Sequence, residues 1–171
     1  MELYDIIIKR RSIRTYKNKP IPEEILLKVL EAARLAQSAK NRQPWRFIII
    51  QNETNRKMIA ELCSGNKSVS EAPVILAGVA VDTNYRMGNK RPASDIDLSI
   101  ALTQISLAAV DQSLGSCWIG SFKYDEAMEY LKIPKDNLLV GFMTLGYPNE
   151  SPAARSRKPM DEIIFHEFWN D

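Results

Sequence analysis

The chain has 171 residues, a formal net charge of +2, 45% hydrophobic residues and 26% charged ones. That length suits one domain with a real core, and the composition is ordinary for a globular protein. A nearly neutral balance excludes a broad nucleic-acid face held by counterion release, and two cysteines with a single histidine, His166, argue against a zinc site.

In chain order, residues 2–9 read as a short helix ending in a basic cluster. Ile21, Pro22, Glu23 and Glu24 mark a helix start, with proline in the first turn and acids at the positive end of the dipole. Leu26, Leu27, Leu30, Ala33 and Leu35 continue it at helical spacing. Residues 37–44 are a polar loop, and residues 45–51 a buried strand. A helix follows over 55–63, then a nearly all-apolar strand over 72–81, of the kind covered on both faces. The segment 83–92 is polar, a candidate mobile lid. Residues 95–114 form a long helix that is apolar over more than one face, which suits a central or interface position. A short helix over 125–131 and a strand over 138–145 come next. The tail from Ser151 holds Arg155, Arg157 and Lys158, then an aromatic end with Phe165, Phe168 and Trp169 that needs something to dock on. These elements give an α+β domain over 1–171 with no internal linker, and the apolar helix and tail favour an obligate dimer.

Cys63 and Cys117 are not spaced as a redox pair and read as core fillers, which fits a reducing, cytoplasmic setting. The opening residues lack the long apolar core of a signal peptide, and no run of about 18 apolar residues suggests a membrane span.

Three stretches carry chemistry. "KRRSIR" packs four basic residues, Lys9, Arg10, Arg11 and Arg14, into six positions around Ser12. Helical or extended, it can converge two guanidiniums and a hydroxyl, which suits phosphate; alone it reads more readily as a solvated charge run. "SAKNRQPW" offers Ser38, Asn41 and Gln43 in a loop before a core strand. These suit a heteroaromatic edge or a polyol chain, or simply a turn. "GSCWIGSF" supplies Trp118 and Ile119 as an apolar wall and Gly120 for close backbone approach to a flat ligand; it also reads as a helix C-cap and a buried tryptophan.

Together and in this order, "RRSIRTY", "SAKNRQPWRF", "EAPVIL", "GSCWIGSF" and the tail "LGYP…RSRKPMDEIIF" resemble the FMN-dependent nitroreductase family over nearly the whole chain. The resemblance implies an α+β sandwich, a central mostly antiparallel sheet flanked by helices, dimeric, with two FMN sites at the subunit interface. It implies that Arg10, Arg11, Ser12 and Arg14 hold the phosphate and ribityl side, joined by Arg155 and Arg157. It implies that Ser38, Asn41 and Gln43 reach the FMN of the other subunit. Trp118, Ile119 and Gly120 match the segment beside the isoalloxazine, and Lys67 falls near the basic residue at the pyrimidine edge. Ser113 stands where glycine is frequent.

The activity so implied is transfer of hydride from NAD(P)H through flavin to a small nitroaromatic or quinone-like acceptor, with no catalytic side-chain acid or base. The alternatives are a fold relative with other flavin chemistry (dehalogenation or flavin breakdown) or a non-enzymatic FMN-binding protein.

Overall fold

The computed structural model describes residues 2–169. Its centre is a four-stranded antiparallel sheet in the order β1 (Trp45–Ile50), β2 (Val74–Ala80), β4 (Leu138–Gly146), β3 (Gly115–Ile119). Every residue of β2 is buried. Because side chains alternate across a strand, Val74 and Leu76 face one core while Ile75 and Ala77 face the other.

The first core packs β2 and β4 against α2 (Glu23–Arg34) and α5 (Ala93–Asp111). The second packs them against α3 (Glu53–Leu62), α4 (Lys67–Glu71) and α6 (Tyr124–Tyr130). α1 (Leu3–Lys9) lies beside α5. Thus β2 is a covered central strand, as its unbroken apolar run predicts. α5 is long and apolar enough to cross a membrane by length and composition alone. Here nine of its nineteen residues are buried, and it spans the middle of one sheet face.

The structure adds a helix and a strand to those expected. α4 is short, started by Asn66, whose side chain accepts from the Ser68 amide. "GSCWI" is an edge strand, β3, and its Trp118 is 39% exposed instead of buried. Helix ends shift for local reasons. α3 begins at Glu53 because Asn52 caps the Asn55 amide at 3.2 Å. α5 ends at Asp111 in a Schellman turn: Ser113 N donates to Val110 O at 3.0 Å and Leu114 N to Ala109 O at 2.7 Å. That turn puts Ser113 at φ 59°, the left-handed conformation that favours glycine.

The 83–92 segment is tied at its base. Met87 N donates to Arg91 O at 3.0 Å, and Ala93 N to Tyr85 O at 3.2 Å. Residues 151–169 run over the outside, with Phe168 and Trp169 76% and 75% exposed.

Candidate functional site

The basic head is laid across the β3–β4 edge. Ser12 bridges Ser116 in parallel, and Ile13 N donates to Ser116 O at 2.9 Å. Tyr16 bridges Pro148, and Lys17 N donates to Tyr147 O at 2.9 Å. Two glycines make this contact possible. A Cβ at Gly115 would lie 2.5 Å from Ile13, and one at Gly146 would lie 2.6 Å from Tyr16.

Tyr16 is buried; its hydroxyl donates to Ile13 O at 2.6 Å and meets the Thr144 hydroxyl at 2.6 Å. Burial pushes its pKa up, so it stays a hydrogen-bond donor.

This lay-out gathers both basic clusters. Arg10, Arg11, Ser12, Arg14, Arg155 and Arg157 line one cavity of about 140 Å³. An adjoining cavity of about 350 Å³ shares Arg10 and Ser12 and is closed by Thr103, Ser106, Trp118 and Met143. Arg11 partly turns away: its guanidinium donates to Ile8 O at 2.5 Å and Arg10 O at 2.8 Å, covering the end of α1. Arg157 donates to the carbonyls of Arg155 and Ser156, both at 3.2 Å.

Five arginines line this small hollow; their like charges repel, and a doubly charged anion would relieve that repulsion. A terminal phosphate fits this donor set: planar forks for its oxygens and a serine hydroxyl. The larger cavity, which shares Arg10 and Ser12 with it, is lined with hydroxyls and an indole, which suits a polyol chain leading to a flat ring.

The other expected residues separate by place. Trp118 faces the larger cavity. Ile119 points to the opposite side of the sheet, into the second core, and lines neither cavity. Gly120 follows it, exposed. Lys67 is exposed on α4 and lines neither cavity.

Ser38, Asn41 and Gln43 also lie outside both cavities, in a tight loop around a 3₁₀ turn, Ala39–Asn41. Ser38 Oγ accepts from Gln43 N at 2.9 Å, and Lys40, Asn41 and Gln43 all have positive φ. Asp97, buried on α5, anchors the loop by accepting from Ala39 N at 3.1 Å. Arg42 pairs with Asp82 at 2.5 Å and lies over the Tyr85 ring at 4.5 Å.

Sequence reasoning missed Thr103, Ser106, Ser116, Met143 and Asp97. A signal existed for two of them: Ser99, Thr103 and Ser106 form a hydroxyl stripe at helical spacing in the long helix. Ser99, Thr103 and Ser106 bond back to carbonyls of α5, Thr103 to Ser99 O at 2.8 Å and Ser106 to Thr103 O at 2.7 Å.

Fold and site thus define an α+β protein with an arginine-lined cavity at one sheet edge and a larger cavity beside it. The family model described as Nitroreductase family matches residues 7–81 and 63–147, and the chain belongs to that family. It is 33% identical over 174 residues to a putative NADH dehydrogenase/NAD(P)H nitroreductase of Methanothermobacter thermautotrophicus, covering 99% of this chain and 88% of the relative. It is 27% identical to an FMN reductase [NAD(P)H] of Bacillus subtilis, covering 98% of this chain and 74% of that one. Among solved structures it resembles a nitroreductase family protein of Clostridium novyi NT at 32% identity and TM-score 0.83, over 95% of this chain and 91% of that one.

Proposed function

We propose that the chain is a single FMN-binding domain working as a homodimeric NAD(P)H-dependent oxidoreductase on nitroaromatic or quinone-like acceptors. The observation that carries this is the junction of the two cavities. Five arginines, of which Arg11 turns its guanidinium toward the end of α1, line a small hollow that shares Arg10 and Ser12 with a hydroxyl- and indole-lined cavity. The names of the relatives support the NAD(P)H and flavin assignments.

Arg10, Ser12, Arg14, Arg155 and Arg157 would hold the phosphate, with Arg11 fixing the end of α1 beside them. Trp118 and the backbone at Ile119 and Gly120 would border the ring. Ser38, Asn41 and Gln43 line neither cavity of their own chain, which fits a loop serving a second copy. Lys67 is proposed to act near the ring only in that assembly. Bound FMN supplies the redox chemistry. The chain's own task is to bind and orient it, to shield the ring from water and to place positive charge beside it. A flat site shared by NAD(P)H and acceptor in turn gives ping-pong kinetics.

The test is an absorption spectrum of the purified protein, then anaerobic addition of NADH and of NADPH. A flavin spectrum bleached by either nucleotide and restored by a quinone or nitroaromatic is expected. A flavin spectrum that neither nucleotide bleaches overturns the enzyme reading.

A further inference from the structure

One carboxylate stands beside the basic cavity, and the cofactor reading gives it no role. Glu150 lies just past β4, and its Oε1 accepts from the main-chain amides of both Arg14 and Thr15, the latter at 3.1 Å. A negative charge next to a phosphate clamp opposes phosphate binding. Its place there is explained by geometry instead. Two successive amides meeting at one oxygen fix the backbone at Arg14 and Thr15. Asn149 N donates to Thr15 O at 2.9 Å, and Lys17 N to Tyr147 O at 2.9 Å, so residues 14–17 and 147–150 form one clasp. The head carries Arg10, Ser12 and Arg14 into this clasp, and the chain leaving it carries Arg155 and Arg157. Arg14 and the Arg155–Arg157 arm therefore both leave from this clasp, whereas Ser12 has its own anchor at Ser116.

We propose that Glu150 is a positioning residue for the phosphate clamp, holding Arg14 and the Arg155–Arg157 arm in register through the Arg14 and Thr15 amides. The proposal rests on the FMN reading above.

Charge and position act in opposite directions, so they can be separated. Glu150→Gln keeps an acceptor oxygen at the same reach and removes the charge. Glu150→Ala removes both. Flavin-free full-length protein is titrated with FMN and, separately, with riboflavin, which lacks the phosphate, following flavin fluorescence. Glu150→Ala is expected to bind FMN about tenfold or more weakly, with riboflavin affinity unchanged. Glu150→Gln is expected to stay within about threefold of the unaltered protein, or to bind FMN more tightly.

An Ala variant that binds FMN as well as the unaltered protein, or better, makes Glu150 a mere neighbouring charge and overturns the proposal. Equal loss of FMN and riboflavin overturns it too, as does a Gln variant as weak as the Ala one. If the Ala variant does not fold, Glu150→Asp decides, because it is one methylene short: an FMN-selective loss supports the role, and unchanged FMN binding overturns it. If the unaltered protein holds riboflavin as tightly as FMN, the phosphate reading itself falls, and the proposal with it.

Discussion

Arg10 and Ser12 border both cavities, and of the two only Arg10 carries charge into each. Replacing it by glutamate sets repulsion beside a dianion. We expect Arg10→Glu and Arg157→Glu to purify colourless and to stay so with moderate added FMN; a yellow, fully occupied variant would sink the phosphate assignment. The thiols carry the opposite expectation. Burial pushes Cys63 up to about 11, and burial likewise raises Cys117, against the pull of Arg14 and a Ser12 hydrogen bond. Both thiols are therefore protonated at neutral pH and poor nucleophiles. We expect Cys63→Ala and Cys117→Ala to keep FMN and flavin reduction within about tenfold, measured by anaerobic stopped flow. The linkage has a definite sign. A folded-state pKa above the ordinary thiol value of 9.0 means that the native state holds the proton more firmly. The resulting stability is complete below pH 9.0 and is lost as pH rises toward about 11. Melting temperatures across that window should therefore fall more steeply for the unaltered protein than for Cys63→Ala, and parallel curves would refute the assignment.

At the scale of elements, close approach and backbone conformation decide what sequence pattern cannot. The Gly146 position lies against Tyr16 and Pro73, with an added Cβ 2.6 Å and 2.7 Å from them. Gly146→Ala should cost about 1–3 kcal/mol in thermal or denaturant unfolding, and should weaken FMN binding because the head is displaced. Ser113 gives the contrary case. Its left-handed φ closes the Schellman turn after α5, so Ser113→Gly should stabilise the fold by up to about 1 kcal/mol. No gain in denaturant midpoint would argue against strain at that turn. These positions also mark where sequence reading ran out. β1, β2, β4 and α5 were legible because long apolar runs announce buried strands and helices. β3 was not, because "GSCWI" is short, glycine-led and carries an exposed tryptophan. That the two arginine clusters meet was legible from their family pattern. The residues that brace them and the neighbouring loop were not: Asp97 and Tyr16 act through contacts 58 and 128 positions away, to Ala39 and Thr144, which no local spacing reveals.

At the scale of the molecule, the proposed homodimer gives a place to apolar surface that one chain leaves uncovered. Leu3, Ile7 and Ile8 on α1 are exposed, Ile96 on α5 is 44% exposed, and Ile163, Phe165, Phe168 and Trp169 run along the outer tail. Ile96 and Ile100 also line a shallow groove of about 520 Å³ with Gln37 and Thr103. Patches of this kind on neighbouring elements mark an interface. The groove adjoins the loop that holds Ser38, Asn41 and Gln43: Gln37 borders the groove, and Asp97 of α5 anchors the loop at Ala39. If those three side chains complete the flavin site of a second copy, separating the subunits removes part of each site. Ile96→Glu tests this with little harm to the chain's own core, because that side chain is largely outside it. A charge buried without a partner at the centre of an interface is strongly unfavourable. Sedimentation is expected to show a dimer for the unaltered chain and a monomer for Ile96→Glu, still folded by circular dichroism. The monomer is expected to have lost tight FMN binding although every residue of its own phosphate clamp is intact. A folded monomer that binds FMN as tightly as the dimer would show that the site is complete within one chain, and the role of Ser38, Asn41 and Gln43 in a neighbouring site would be withdrawn.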